Sequence, residues 1–185
     1  MRQNAVFTLY TANCCGNQYN TCYPNKVVIT CADDLKSAVA VDHVAALYRT
    51  GFTKKDAGKK NPIPFHRSNE DFVESDCLML DCDNTGTDNS AEWVHPEQIA
   101  KDFPGVPHYI ATSRHHWKEK DGKTPRPKFH VYFPIDTITS VQEHTAFKDA
   151  MIANYPYFDF NAGDGARYFF GNPEAEITFV SGGEA

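Results

Sequence analysis

Residues Asp76–Asn84 read DCLMLDCDN, a short apolar run that closes on two carboxylates one residue apart. In a strand, alternate side chains share a face, so Asp81 and Asp83 point one way while Leu80 and Cys82 point the other. Carboxylates held side by side repel each other and lose hydration. A divalent cation relieves both costs by taking oxygen ligands from the pair. The alternative is a strand that ends here, with both acids solvated in a loop.

The next informative stretch downstream is KFHVYFPI, residues 128–135. Phe129, Val131, Phe133 and Ile135 alternate as a core face, which leaves Lys128, His130 and Tyr132 together on the opposite face. A strand histidine with a lysine two residues before it suits an anion such as a triphosphate, and a hydrogen-bonded structural histidine is the bland alternative. If the two strands are neighbours, the acids and the histidine share one polar face.

The surrounding pattern supplies the order. Pro96–Phe103 reads as a short helix with proline in its first turn, and Tyr109–Ser113 as a strand. Ser140-x-x-Glu143 is a capping box opening a helix to about Asn154, with Phe147, Met151 and Tyr155 on its apolar stripe. Tyr168–Phe170 and Ile177–Val180 are late strand candidates. From Asp76 the order is β-α-β-β-α-β, the split unit of an α+β, RRM-like antiparallel sheet with helices on one face and the other face open for a site. Upstream, Lys26–Thr30 reads as a strand and Asp33–Tyr48 as a helix. The polar stretch Thr53–Asn61, closed by Pro62 and Pro64, is the clearest internal loop. It separates a small N-terminal α/β portion, residues 1–64, from the RRM-like core, residues 65–185.

Composition bounds the function. At 185 residues, 41% hydrophobic and 13% aromatic, the chain suits one folded unit and not disorder or a collagenous repeat. No run approaches the ~20 apolar residues of a membrane span, and the N-terminus MRQNAVFTLYTAN lacks a signal-peptide layout. A cytoplasmic protein without membrane contact is expected. The net charge of −6 argues against a uniformly nucleic-acid-attracting surface and permits a local basic feature. The six cysteines lack paired C-x-x-C spacing and read as thiols; zinc on Cys14 or Cys15 with Cys22 and Cys31 is the alternative.

Two further segments carry chemistry. In YFDFNAGDGARYFFGNP, residues 157–173, Asp159 offers a third carboxylate and Arg167 a fork for phosphate oxygens, although a surface loop pairing Asp164 with Arg167 fits equally. The arm RHHWKEKDGKTPRP, residues 114–127, turns at Asp121-Gly122. With Lys128 it sets Arg114, Lys118, Lys120, Lys123 and Arg126 against only Glu119 and Asp121. Trp117 and two histidines are interleaved. Such an arm suits a nucleic-acid backbone or a stacked base, and a solvated hairpin tip is the alternative.

Together these motifs resemble the archaeo-eukaryotic primase superfamily, in particular the primase-polymerase domains of mobile elements and phages. The similarity covers roughly residues 65–175. It rests on Leu80-Asp81-Cys82-Asp83, Lys128-Phe129-His130 and Phe158-Asp159, in the family's order. The resemblance implies that Asp81, Asp83 and Asp159 hold divalent metals, Mg²⁺ or Mn²⁺, and that His130 contacts the triphosphate of the incoming (d)NTP. The small residue usual two before that histidine is Lys128 here, so phosphate contact falls to Lys128 itself, or to Ser113 or Arg114. Arg167 joins the nucleotide-binding set, and Lys118, Lys120, Lys123, Arg126 and Trp117 the set for a single-stranded DNA template. The ending SGGEA is compatible with a chain cut from a longer primase with a helicase partner.

Two rivals stand beside it. Asp81-Cys82-Asp83-Asn84-Thr85 also fits the D-x-D-x-T motif of haloacid-dehalogenase-like phosphatases, where the first Asp is a nucleophile. That family follows its motif strand with a parallel, doubly wound sheet. The other is a catalytically inactive nucleic-acid-binding replication module.

Overall fold

A computed structural model describes residues 6–52 and 62–182; the expected loop at Thr53–Asn61 lies outside the described residues. The strand through the two acids runs further upstream than its apolar core, from Phe72 to Cys82 (β5). Its alternation divides the protein into two layers. Leu78, Leu80 and Cys82 face one core with Ile110, Val131, Phe133 and Ile135, closed by Ile99, Phe103, Met151 and Phe158. Cys77 and Met79 face a second core with Tyr109, Ala111 and Tyr132. Leu78, Leu80 and Met79 are fully buried, each worth ~1.5–3 kcal/mol of transfer free energy.

The elements in chain order are β1 (Phe7–Thr11), β2 (Asn25–Ile29), α1 (Ala32–Val39), β3 (His43–Val44), β4 (Ala46–Tyr48), β5, α2 (Pro96–Asp102), β6 (His108–Thr112), β7 (Phe129–Ile138), α3 (Val141–Asn154) and β8 (Ile177–Val180). The fold is α+β, with a three-stranded sheet β2-β1-β3 and a five-stranded sheet β4-β5-β7-β6-β8. All strand pairs are antiparallel. Helix α3 starts where the capping residue predicts: the Ser140 hydroxyl accepts from the Glu143 N–H. Its buried stripe is wider than Met151 alone and includes His144 and Lys148.

Four expectations are corrected. The helix from Asp33 ends at Val39, and Val44 and Tyr48 lie in β3 and β4. The turn between them is set by Asp42, whose buried carboxylate accepts from the N–H groups of Gly16, Asn17 and Gly171 at 2.7, 2.9 and 2.8 Å. Gly171 is required there, since a Cβ would lie 2.6 Å from the Val41 backbone. Second, Tyr168–Phe170 forms no strand: only Phe169 pairs, with His43. Its neighbours lie under guanidinium groups, Arg67 4.5 Å above the Tyr168 ring and Arg114 3.9 Å above the Phe170 ring.

Third, the sheet face opposite α2 and α3 is not open along its length, because β1 and α1 cover it with Phe7, Leu9, Leu35, Ala38 and Val39. The end carrying Asp81 and His130 gives onto a cleft. Fourth, the last strand of a split β-α-β-β-α-β unit would sit beside its first, but that edge is taken by β4, and β8 pairs instead with β6. Thr112 pins it there, its hydroxyl accepting from Glu176 N–H and its own N–H donating to the Glu176 carbonyl. Through β4, residues on the N-terminal side of the expected boundary at 64 share a sheet with the core.

Candidate metal centre and nucleotide cleft

Antiparallel pairing of β5 with β7 puts Asp81 directly opposite His130. The His130 Nε2 lies 3.7 Å from Asp81 Oδ1. Asp83 follows β5, and Asp159 is brought alongside by a backbone hydrogen bond of 2.7 Å from its N–H to the Asp81 carbonyl. Asp159 caps a single 3₁₀ turn, Phe160–Gly163, accepting from the Asn161 N–H. One carboxylate oxygen from each of Asp81, Asp83 and Asp159 lies within 4.8 Å of the others. Among the described residues, this is the one group of three or more His, Cys, Asp or Glu so arranged. Cys14, Cys15, Cys22 and Cys31 form no such group and are free thiols.

The electrostatics fit a cation. Asp81 is buried, and its Oδ1 has no hydrogen-bond donor. Burial first, and then the charges of Asp83 and Asp159, push its carboxyl well above the usual carboxylate range, while Arg167 and Lys128 pull it down. Arg167 reaches only to 3.9 Å from Asp81 Oδ2. An unsolvated carboxylate oxygen beside two more carboxylates is the environment that a divalent ion stabilises.

Around the acids lies a cleft of about 150 Å³, lined by Asp81, Asp83, Ser113, Arg114, Lys120, His130 and Arg167 among others. Burial, with the nearby His43 and Arg167, pulls the His130 imidazole well below its usual pKa. The ring stacks on Phe169. Arg114 and Lys120 bring positive charge to the cleft wall. Lys128 does not line it: the side chain is buried, with Nζ 3.6 Å from Asp83 Oδ2, so it neutralises an acid of the triad.

The arm is divided. Lys120 and Lys123 bridge around a tight turn at Asp121 and Gly122, both at positive φ. Lys118 pairs loosely with Glu174 at 3.8 Å, and Trp117 is half-exposed, edge-on to Trp93. Lys123 Nζ donates to the Thr85 carbonyl. Arg126 leaves the expected nucleic-acid-binding set: it is fully buried, donating to the Asn84 and Thr87 carbonyls, to Asp88 and to Thr124. Its guanidinium fastens the loop that follows Asp83.

Three residues that the sequence did not reveal hold Arg167 in place. Lys148 Nζ, Tyr48 Oη and Arg67 Nη1 donate to the successive carbonyls of Asp164, Gly165 and Ala166, at 3.0, 3.3 and 2.9 Å. They come from α3, β4 and the segment before β5, far apart in sequence, so no local motif signals them. Comparison with protein-family models, curated proteins and solved structures finds no match to this chain.

Proposed function

We propose that the chain is a primase-polymerase catalytic core of the archaeo-eukaryotic primase type. It transfers nucleotides from (d)NTPs to a primer or initiating nucleotide on single-stranded DNA, for replication of a phage or plasmid element. The observation that carries this is the convergence of Asp81, Asp83 and Asp159 within 4.8 Å at the mouth of a cleft walled by His130, Arg167, Arg114 and Lys120. The order β5-α2-β6-β7-α3, with β5, β7 and β6 adjacent and antiparallel, supports the RRM-like part of the reading.

In the reaction the acceptor 3′-hydroxyl oxygen bonds to the α-phosphorus, the α–β bridging P–O bond breaks, pyrophosphate leaves and the hydroxyl proton passes to water. Asp81, Asp83 and Asp159 would hold Mg²⁺ or Mn²⁺, which would supply charge that favours an ionised attacking oxygen and offsets negative charge on the phosphates. His130 and Arg167 orient the triphosphate by hydrogen bonds and charge, with Arg114, Lys120 and Ser113 on the same wall. Lys128 limits repulsion at Asp83. The exposed arm residues Lys118, Lys123 and Trp117, with the half-buried Lys120, meet the template.

The antiparallel pairing on both sides of β5 disfavours the haloacid-dehalogenase alternative, which needs a parallel sheet around its motif strand. An inactive binding module has no use for a buried carboxylate oxygen without a donor. Primer extension and de novo synthesis on single-stranded template, with each nucleotide set and each metal, test the proposal.

A further inference from the structure

A second cleft opens on the other side of the triad. It has a volume of about 370 Å³, within the ~300–1,000 Å³ of small-molecule sites. Asp83 lines both clefts, and Asp159 lines only the second. The two differ in character. The first carries Arg114, Lys120, His130 and Arg167, whereas no Lys, Arg or His lines the second, which is walled by Tyr157, Phe158, Phe160 and Val94 with the polar turn that follows Asp83. Phe160 is 81% exposed, so most of its ring is open to a stacking partner at the edge of this cleft. It cannot drift far from the acids, because the residue before it is the triad's Asp159, which caps the turn that Phe160 begins.

From this we infer that the second cleft receives the 3′-terminal nucleoside of the acceptor strand, its base stacked on Phe160 and its hydroxyl directed at the triad. The inference rests on the proposed nucleotidyl transfer. There, the attacking and leaving oxygens lie roughly in line on opposite sides of the α-phosphorus. The cationic cleft takes the triphosphate and its departing pyrophosphate, so the attacking oxygen arrives from the opposite side of the triad. A cleft with aromatic walls and carboxylates but no cations repels phosphate. It accepts a base by stacking and a sugar hydroxyl by hydrogen bonding to Thr85 or Thr87.

The test uses the full chain and a primed single-stranded template whose primer ends in 5-iodouridine, irradiated without nucleotide, with the cross-linked peptide mapped by mass spectrometry. The terminal base is expected to cross-link to Phe160 or Tyr157, and the yield to collapse in Phe160→Ala but persist in Phe160→Tyr. In steady-state extension, Phe160→Ala is expected to raise the KM for primed template about tenfold, the scale of one lost base–aromatic stack. The KM for nucleotide should stay within about twofold. Cross-links confined to the first cleft or the 114–127 arm, or an unchanged yield in Phe160→Ala, would overturn the inference. If the wild-type chain incorporates no nucleotide with either metal, the proposed activity fails, and the cross-linking result still decides what enters the second cleft.

Discussion

His130 lies flat on Phe169, ring centroids 4.0 Å apart and planes 18° from parallel. This stack fixes the imidazole on the polar end of the sheet. Phe169 is itself clamped by two backbone hydrogen bonds with His43, from His43 N–H to the Phe169 carbonyl and back, at 3.0 and 2.9 Å. The ring that supports His130 thus belongs to a segment tied down by the N-terminal layer. Replacing it with a non-aromatic side chain of similar bulk separates orientation from folding. Phe169→Leu should lower stability by less than ~1.5 kcal/mol. Its kcat/KM for nucleotide should fall about tenfold, through loss of triphosphate orientation. Thermal melts beside steady-state incorporation check both numbers; wild-type kcat/KM would show that the stack does not govern His130.

Metal binding should appear as stabilisation before any activity is measured. In chelator-treated buffer, addition of MgCl₂ or MnCl₂ should raise the melting temperature, because a ligand bound only to the folded state at 100 times its Kd contributes about 2.7 kcal/mol. For a domain of this size each kcal/mol is worth roughly 2–4 °C. Asp81→Asn should lose that response. Without metal the variant should melt at or above the wild-type temperature, since the buried charge repelled by Asp83 and Asp159 is gone. An equal metal-induced shift in Asp81→Asn would place the ion elsewhere.

His144, in α3, gives a pH signature remote from the site. It is buried against Phe72, its Nε2–H donates to the Cys77 carbonyl, and burial with the nearby Lys148 pulls its pKa from 6.5 down to about 4. Above pH 6.5 it is neutral in both folded and unfolded chains. Between 6.5 and 4 only the unfolded chain takes up the proton, so stability falls with pH across that window. His144→Gln keeps a donor for the carbonyl and removes the titration. At 1.36 kcal/mol per pKa unit, wild type should lose roughly 2–3 kcal/mol relative to the variant between pH 7 and 4 in denaturant melts. Parallel pH profiles for the two proteins would contradict this.

Arg126 and the arm lysines should separate cleanly. Arg126→Met removes the guanidinium donor from the Asn84 carbonyl and one of two donors from the Thr87 carbonyl, which keeps Trp93 Nε1, and should cost ~1–3 kcal/mol of stability. It should not change the slope of log affinity for single-stranded DNA against log salt. Joint replacement of Lys118, Lys120 and Lys123 by Ala should do the reverse, lowering that slope by up to about 2, at ~0.7 per phosphate contact. A reduced slope in Arg126→Met would make Arg126 a template contact after all.

These residues also show how far the sequence could be read. Period-two alternation sufficed for Asp81, Asp83 and His130 to be placed on one polar face, because in a two-sided strand the buried partners Leu80, Val131 and Phe133 leave no other choice. The turn at Asp121-Gly122 and the Ser140 cap were equally local and equally legible. Arg126 reads as solvated because it sits in a polar, proline-rich arm, and Lys128 reads as an anion contact because it shares a strand face with His130; only the fold reveals the carbonyls around the one and the Asp83 carboxylate beside the other. The edge occupied by β8 depends on β4 having filled the competing place beside β5, and a competition between segments more than 100 residues apart leaves no trace in either one. The grip of Tyr48, Arg67 and Lys148 on residues 164–166 is long-range in the same way.

The most direct measurement is incorporation of labelled nucleotide into a primed single-stranded DNA template by wild type, Asp81→Asn, Asp83→Asn and Asp159→Asn, with Mg²⁺ and with Mn²⁺, at a temperature where all four are folded. Wild type should extend the primer in a metal-dependent manner. Each of the three variants should fall by at least about 10³-fold, the scale of losing transition-state charge stabilisation of ~4 kcal/mol. Extension at the wild-type rate by Asp81→Asn, or extension by wild type that survives chelation of divalent metal, would contradict a nucleotidyl-transfer centre built on these three carboxylates.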